Sequence, residues 1–315
     1  MSPSPIVVFA FNRLEPMKAT IKSLLLNPEA KDSHLYVFVD GARPSRNGED
    51  MAVESVRNYV KTIKGFRKIT YRFADSNRGL GPSIIAGVSE VISIHGSAIV
   101  LEDDLMVQPN FLKFMNDGLS TYAESPEVWS ICGYSNKVDI PDDYPYDAYF
   151  STRSSSWGWA TWADRWNSVD WSFRHWDDWK GLAKKFNKWG GSDCFGMLKD
   201  CREGKNQSWA IRFCFNQFLH DKVSLFPTKS LLVNNGFDGS GTNCRRWSRF
   251  RYELMPADNT SFLLPPPDSV SISPTILKSA LRYHSIPLRI FSKIMYALTG
   301  RGRDYILPTS DGCSA

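Results

Sequence analysis

The chain has 315 residues, of which 42% are hydrophobic and 23% charged, so it is long enough for one large globular domain or two smaller ones. Its net charge of +5 is too small to indicate a nucleic-acid-binding protein, and no apolar stretch reaches the roughly 18 residues of a membrane span. The six cysteines form no CxxC pair, which argues against a zinc site and favours reduced thiols in a reducing, cytoplasmic compartment.

The first 135 residues alternate between short apolar runs and segments with helical spacing of apolar residues. Alternation of this kind predicts an α/β fold with a mostly parallel central sheet and helices on both faces. The predicted strands cover residues 6–11, 35–39, 68–73, 98–101 and 128–132, and the predicted helices cover residues 17–26, 82–94 and 109–122.

The pattern changes in the second half of the chain. Residues 151–255 are rich in Trp, Gly, Ser and Asn with irregular spacing, which indicates loops and short elements built over the open edge of the sheet. We therefore expect one domain over residues 1–260, with a strand-and-helix half (1–135) and a loop-rich half (136–260). A Pro-rich linker (261–270) and a basic amphipathic helical tail (271–315) follow.

The tail is open to two interpretations. Residues 271–303 contain six Lys or Arg and no Asp or Glu, and apolar residues alternate with the cations. This composition is typical of a segment that lies on an anionic membrane. A helix packed on the catalytic domain would have the same pattern, and Pro287 interrupts it in either case.

Three predicted strands end in polar residues: Asn12 and Arg13 after the first, Asp40 after the second, and the triplet Glu102-Asp103-Asp104 after the fourth. Because the carboxyl ends of parallel strands share one edge of the sheet, these side chains are expected to form a site. Adjacent carboxylates need a cation, and such oxygen ligands suit Mn²⁺ or Mg²⁺ shared with substrate phosphates. A solvated acidic turn is the alternative for the triplet alone.

Three further segments are candidates. A glycine-containing turn at residues 77–81 precedes a helix and suits phosphate binding, or is a plain turn. Asp177 and Asp178 lie between Trp176 and Trp179, where an apolar environment would raise a carboxyl pKa and suit a general base. From spacing alone, a surface helix with inward-packed Trp rings is favoured. The polar loop at residues 234–243 could close over a donor, hold an acceptor, or be a simple surface loop.

Four segments together resemble GT-A glycosyltransferases, and within that class the chain is similar to the N-acetylglucosaminyltransferase I type and its bacterial relatives. The similarity extends over roughly residues 5–245. The segments are Val7-Val8-Phe9-Ala10-Phe11-Asn12-Arg13, Phe38-Val39-Asp40, Val100-Leu101-Glu102-Asp103-Asp104-Leu105 followed by Pro109-Asn110-Phe111, and Trp157-Gly158-Trp159 followed by Phe173-Arg174-His175-Trp176-Asp177-Asp178-Trp179.

The resemblance implies a role for each half of the domain and for each matching residue. Residues 1–260 would form the catalytic domain, with a nucleotide-sugar-binding half (1–135) and an acceptor half (136–260). Asp104 would ligate the metal, and Asp177 would be the base of an inverting transfer, with Asp178 the alternative. The residues expected at the nucleotide-sugar are Asn12, Arg13, Asp40, Arg78, Glu102, Asp103, Trp157 and Gly158, and those expected in an acceptor or loop role are Asp238, Ser240 and Asn243.

The predicted function is transfer of a hexosyl or N-acetylhexosaminyl group from a nucleotide-diphosphate sugar, UDP-linked by preference, to a glycan or lipid-linked acceptor. The expected location is the cytoplasm, with or without peripheral contact at the inner membrane face. A sugar nucleotidyltransferase would share the sheet and the metal, but residues 6–20 contain no glycine for a triphosphate loop. A glycan-binding module would explain the Trp clusters but leaves the acidic triplet without a role.

Overall fold

The computed structural model describes residues 3–236 and 250–298. The strands within these ranges are β1 (Ile6–Ala10), β2 (His34–Val39), β3 (Lys68–Phe73), β4 (Ser97–Glu102), β5 (Leu105–Val107), β6 (Val128–Cys132), β7 (Ala148–Ser151), β8 (Trp159–Trp162), β9 (Val223–Pro227) and β10 (Leu232–Asn234).

Eight of these strands form one sheet in the order β3-β2-β1-β4-β8-β6-β9-β7. The pairs β1–β2, β2–β3, β1–β4 and β6–β9 are parallel, and those of β8 with β4 and β6 and of β7 with β9 are antiparallel. A separate antiparallel pair joins β5 to β10.

Helices cover both faces of the large sheet. They are α1 (Leu14–Leu25), α2 (Glu49–Thr62), α3 (Leu80–His95), α4 (Phe111–Thr121), α5 (Ala163–Asn167), α6 (Trp176–Trp179), α7 (Ala183–Gly190), α8 (Cys194–Arg202), α9 (Trp209–Leu219), α10 (Pro274–Arg282) and α11 (Ile286–Leu298), with short 3₁₀ turns at Pro28–Asp32 and Lys180–Leu182.

Alternate residues of the central strands face two separate cores. Ile6 and Val8 of β1 pack with α1, α2 and α4 on one side, whereas Val7 and Phe9 pack with α3, α5 and α9 on the other. Both sets are fully or almost fully buried, as expected for parallel strands covered on two faces. The predicted α/β fold with a mostly parallel sheet is confirmed.

The second face contains a stack of indole rings. The ring of Trp159 lies 4.7 Å from that of Trp209 and 5.6 Å from that of Trp166, measured between ring centroids. Trp162 is buried as well and donates its indole N–H to the carbonyl oxygen of Leu119 at 3.1 Å. Several of the 11 tryptophans therefore serve core packing.

The structure differs from the sequence expectations in two places. Helix α2 was not predicted, although Val53, Val56 and Val60 have helical spacing and are buried. The half beyond residue 135 contains more regular structure than its composition indicates. Strands β7 and β8 were missed because each has only four residues, too few to show an alternation of apolar and polar side chains.

The segment 261–270 runs against α4. Phe262 packs edge-on against Phe114, with ring centroids 5.0 Å apart, and the carbonyl oxygen of Pro265 accepts a 2.6 Å hydrogen bond from the Tyr122 hydroxyl. Contacts of this kind fix the segment rather than leave it as a free spacer. The domain boundaries at 260 and 270 remain predictions.

Helix α10 is packed on the half formed by residues 136–260. This agrees with the interpretation of the tail as a helix packed on the preceding domain. Ile276 is fully buried, and Asp139 accepts hydrogen bonds from Ser279 at 3.0 Å and Arg282 at 3.1 Å. Pro287 lies in the first turn of α11, so it starts this helix instead of interrupting one. Within the described ranges, no helix has the length and apolar character needed to cross a bilayer.

Candidate active site at the carboxyl edge of the sheet

The acidic triplet lies where β1 and β4, which are paired in parallel, both end. Arg13, just beyond β1, forms ion pairs with both neighbouring carboxylates: its guanidinium contacts Asp103 and reaches the Oδ2 atom of Asp104 at 2.8 Å. The side chains of Asp103 and Asp104 are only 5% and 9% exposed. The strand ends thus bring together residues that are 90 positions apart in the chain.

Negative charge exceeds positive charge at this point. Burial, followed by the charges of Asp104 and Asp103, raises the pKa of Glu102 to about 8. Burial also raises the pKa of Asp103 to about 6, although Arg13 opposes the change. For Arg13, burial lowers the pKa, but the two aspartates outweigh it and hold the pKa above its usual value. One guanidinium is therefore shared by two adjacent carboxylates, Asp103 and Asp104, while Glu102 lies next to them in the chain.

Backbone contacts fix the direction of the triplet. The Thr20 hydroxyl of α1 donates to the carbonyl oxygen of Asp103 at 2.8 Å, and the Asn235 N–H donates to that of Asp104 at the same distance. Asn235 follows β10, whose antiparallel pairing with β5 keeps the start of the 234–243 loop beside Asp104. A Cβ placed on Gly236 would collide with the Asp104 carboxylate. Any larger residue at position 236 would therefore require the Asp104 carboxylate to move.

Asp40 accepts four hydrogen bonds, three of which come from the glycine-containing turn at residues 77–81. Its Oδ1 atom accepts from the backbone N–H groups of Gly41 and Arg78, both at 2.9 Å. Its Oδ2 atom accepts from the Asn77 side chain at 3.1 Å and the Gly79 N–H at 2.9 Å. A carboxylate has about four acceptor positions, and here protein donors fill them. The Arg78 side chain remains exposed.

Two residues that the sequence analysis did not single out support this edge. Glu49, at the start of α2, accepts from the Asn12 side chain at 3.3 Å and forms an ion pair with Arg43. Hydrogen bonds from Arg43 lower the pKa of Glu49 to about 2, so it is ionised at neutral pH. Its start-of-helix position is the only sequence signal, and that position alone does not predict the contact with Asn12.

The acceptor half contacts the glycine-containing turn through Gln207. A Cβ on Gly79 would collide with the Gln207 side chain, and one on Gly81 would collide with its carbonyl oxygen. Residues separated by more than a hundred positions therefore touch here, and no local pattern predicts such a contact.

Trp157 and Gly158 directly precede β8, the strand that pairs with β4. In that antiparallel pairing, Trp159 is opposite Val100, two residues before the acidic triplet. The Trp157 ring is half-buried and packs edge-on against Tyr134 with centroids 4.6 Å apart. Gly158 has a φ of +58° and its space is closed by Leu232, Phe111 and Leu101. The position therefore suits glycine alone.

Asp177 and Asp178 are on the surface, which corrects the apolar environment expected for them. The Asp177 side chain is 90% exposed and accepts a 3.0 Å hydrogen bond from Lys180. The neighbouring rings face the other way: Trp179 is 6% exposed, and Trp176 stacks on Phe195. The inward-packed interpretation is confirmed for the Trp residues. The catalytic assignment of the two aspartates remains a prediction.

Three predicted loop residues, Asp238, Ser240 and Asn243, lie outside the described residues. Within the described part of the chain, no three His, Cys, Asp or Glu side chains converge as a closed metal cage would.

Comparison with known proteins adds little at the level of sequence. No protein family matches the chain, and no curated protein matches it. Among solved structures, three similar ones are enzymes of sugar nucleotides. A mannosyltransferase from Pyrobaculum calidifontis in complex with GDP-Man and Mn²⁺ has 13% identity and a TM-score of 0.37, with 52% of this chain and 46% of that chain covered. The aligned region thus spans under half of that enzyme's length.

The other two similar structures align over more of the chain. A UDP-glucose pyrophosphorylase complexed with UDP-glucose has 12% identity and a TM-score of 0.37, covering 72% of this chain and 91% of that one. A galactosyltransferase in complex with donor and acceptor sugar analogues has 11% identity and a TM-score of 0.35, covering 68% and 70%. Because these similarities are weak, function has to be inferred from the side chains of the site.

Proposed function

We propose that the protein is a glycosyltransferase that moves a hexosyl or N-acetylhexosaminyl group from a nucleotide-diphosphate sugar to a hydroxyl of a glycan or lipid-linked acceptor. One observation carries the proposal: at the carboxyl edge of the sheet, the single guanidinium of Arg13 pairs with two buried carboxylates, Asp103 and Asp104, and a third carboxyl group, Glu102, directly precedes them in the chain. A closed ion-pair network would balance its charges. A site with surplus carboxylates is suited to a cation that arrives with an anionic substrate.

The donor atoms fit Mn²⁺ or Mg²⁺. Carboxylate oxygens are the ligands these hard cations prefer, and Mg²⁺ is usually bound by one or two carboxylates together with substrate phosphates rather than by a closed cage. Asp104 is the expected direct ligand, with Glu102 and Asp103 ordering the surrounding shell or contacting the sugar. When bound, the ion offsets the negative charge of the diphosphate leaving group.

The remaining residues of the edge bind and orient the donor. Asp40 acts through the turn that it holds before α3, because its own acceptor positions are filled and it already binds the N–H groups of Arg78 and Gly79. The exposed Arg78 side chain can then reach a phosphate. Asn12 is oriented by Glu49. Trp157 and Gly158, which directly precede β8 beside β4, form the wall against the sugar.

The transfer is a single displacement that inverts the anomeric centre. The acceptor oxygen attacks the anomeric carbon, the bond from that carbon to the diphosphate oxygen breaks, and the nucleoside diphosphate departs with the bonding electron pair. Asp177, with Asp178 as the alternative, takes the acceptor proton. Asp238, Ser240 and Asn243 are the proposed acceptor contacts.

A donor screen tests this function directly. Nucleoside diphosphate release is measured with UDP- and GDP-linked sugars, with Mn²⁺, Mg²⁺ or EDTA, and with a soluble glycan acceptor. We expect release from at least one donor, its loss in EDTA, and a reduction of about 100-fold or more in Asp104→Asn. Full activity of Asp104→Asn, or of the wild type in EDTA, would refute the metal-dependent scheme.

The same preparation separates the alternative functions. A sugar nucleotidyltransferase would form pyrophosphate from a nucleoside triphosphate and a sugar 1-phosphate, and a glycan-binding module would bind sugar without any metal-dependent binding of nucleotide. Either result, in the absence of diphosphate release, would replace the proposal.

A further inference from the structure

Helix α11 exposes its apolar side to solvent. Ile286, Ile290 and Ile294 recur at a spacing of four residues and are 60%, 54% and 50% exposed, and Phe291 next to them is 50% exposed. A helix on the surface of a water-soluble domain normally directs its polar side outwards and its apolar side to the core. Helix α11 has the opposite arrangement.

The side of α11 that faces the protein contains polar residues as well as the partly buried Leu288 and Met295. Ser292 is 1% exposed and donates within the helix to the carbonyl oxygen of Leu288 at 2.8 Å. Arg289 donates to the Ser192 hydroxyl at 3.0 Å, and that hydroxyl in turn donates to the carbonyl oxygen of His284 at 2.7 Å. The hydrogen bonds through Ser192 hold α11 in the orientation that leaves its isoleucines outside.

Positive charge lies beside the exposed apolar stripe. Lys293 is exposed on the same side of α11. Arg282 of α10, which also forms an ion pair with Asp139, lines a surface cavity together with Leu288 and Phe291 of α11. Between residues 271 and 303 the chain has six Lys or Arg and no Asp or Glu. Apolar side chains flanked by cations match the acyl and head-group layers of an anionic bilayer.

We propose that α11 lies in the plane of an anionic lipid bilayer surface, with Ile286, Ile290, Phe291 and Ile294 inserted among the acyl chains and the cations at the phosphates. Long Lys and Arg side chains can reach the head groups while the helix axis lies lower. This interaction goes beyond sugar transfer and does not depend on it, so its test stands even if the enzyme proves to have another activity.

The test is co-sedimentation of the full chain with vesicles of phosphatidylcholine, alone or with about 30 mol% phosphatidylglycerol. We expect the wild type to pellet with the anionic vesicles, to bind neutral vesicles more weakly, and to be released by about 0.5 M salt. Ile290→Ser with Ile294→Ser should lower the bound-to-free ratio by about tenfold or more.

A matched control removes the same kind of side chain elsewhere. Leu26 and Ile94 are 60% and 64% exposed, at the ends of α1 and α3. Leu26→Ser with Ile94→Ser should bind vesicles as the wild type does. Circular dichroism and the thermal midpoint should show that both double variants are folded.

Two results would overturn the proposal. One is equal pelleting of the two double variants, or no pelleting of the wild type. The other is that analytical ultracentrifugation finds a dimer that Ile290→Ser with Ile294→Ser converts to a monomer, while no form of the protein binds vesicles. A second copy of the chain would then cover the stripe.

Discussion

The side chain of Arg13 occupies the position where a cation is needed. Its guanidinium contacts Asp103 and Asp104, is 20% exposed, and is held in a site with surplus carboxylates. The resemblance assigned Arg13 to the nucleotide, whereas in the structure its partners are the acids themselves. A divalent ion at Asp104 would lie beside this guanidinium and be repelled by it, so Arg13 and the ion compete for the same carboxylates.

Replacing Arg13 by Met should expose this competition. Without metal, the variant leaves buried carboxylates unpaired, and we expect its free energy of unfolding to fall by about 3 kcal/mol. Because the competing cation is gone, Mn²⁺ should raise its thermal midpoint more than that of the wild type. Thermal unfolding in EDTA and in Mn²⁺ measures both effects.

Arg72→Met is the control for the Arg13 variant. Its ion pair with Glu90, at 2.9 Å, is largely exposed, and such pairs contribute about 0–1 kcal/mol. Its response to Mn²⁺ should equal that of the wild type. An equal Mn²⁺-induced shift in Arg13→Met and the wild type would contradict the competition.

The two aspartates of α6 give a second prediction for single residues. If Asp177 takes the acceptor proton, Asp177→Asn should lower kcat by about 100-fold or more with little change in KM for the donor, and Asp178→Asn should have a much smaller effect. Steady-state kinetics on both variants measure this. A larger loss of kcat in Asp178→Asn than in Asp177→Asn would assign the base to Asp178. A near-wild-type kcat in both variants would show that neither aspartate of α6 is the base.

Predictability of the site differs from residue to residue. Arg13 and the triplet were predicted to meet because each directly follows an apolar strand, and parallel strands share an edge. Glu49 and Gln207 were missed because their contacts, with Asn12 and with Gly79 and Gly81, depend on how distant segments pack. The exposure of Asp177 was missed because Trp rings on either side of a carboxylate can face away from it.

Among the elements, the junction between α3 and the loop before α9 connects the two halves of the protein. Gly81 lies in the first turn of α3, directly against the Gln207 carbonyl oxygen. Because the obstacle is backbone, a methyl group at position 81 can be accommodated only if one segment moves. The contact therefore couples the turn held by Asp40 to the acceptor half.

Gly81→Ala should consequently destabilise the protein by about 1–3 kcal/mol and weaken nucleotide binding. Chemical denaturation and nucleotide titration measure the two effects. Gly196→Ala is the matched control, because Gly196 lies in α8 with no atom near its Cβ position. That change should be neutral or stabilise by up to about 1 kcal/mol. Equal behaviour of the two variants would show that the junction is not tight.

The strands of the first half were predictable, and the shorter elements were not. Strands β3 and β6 have the predicted bounds, and β1, β2 and β4 differ by a residue at one or both ends. Strands β1, β2 and β4 are mostly buried and form continuous apolar runs, whereas the edge strand β3 is partly exposed. Strands β7 and β8 form because they pair with neighbouring strands of the sheet, and their own sequences do not predict them. The inverted orientation of α11 depends on Ser292 and Arg289 facing the protein.

For the molecule as a whole, acid stability should depend on His34. Burial, and then the charges of Lys68 and His95, lower its pKa to about 4. Between this value and the ordinary value near 6.5, the unfolded chain binds more protons than the folded protein. The free energy of unfolding contributed by neutral His34 is therefore fully present above about pH 6.5 and is lost as the pH falls towards 4.

His34→Gln should flatten this dependence. We expect the free energy of unfolding to fall less between pH 7 and pH 5 in the variant than in the wild type, where one proton contributes at most about 1.4 kcal/mol per pH unit. Urea denaturation at several pH values measures the slopes. Substitution of the exposed His220 by Gln should leave the slope unchanged. A slope in His34→Gln equal to that of the wild type would contradict the assignment.

We propose that the acidic edge of the sheet binds a nucleoside diphosphate together with a divalent cation. Calorimetric titration of UDP and GDP into the wild type and Asp104→Asn, each with Mn²⁺ and with EDTA, tests this binding. We expect the wild type to bind at least one nucleotide about tenfold or more tightly with Mn²⁺ than with EDTA, and we expect no such metal effect in Asp104→Asn. Equal affinities with and without Mn²⁺, or an unchanged metal effect in Asp104→Asn, would contradict it.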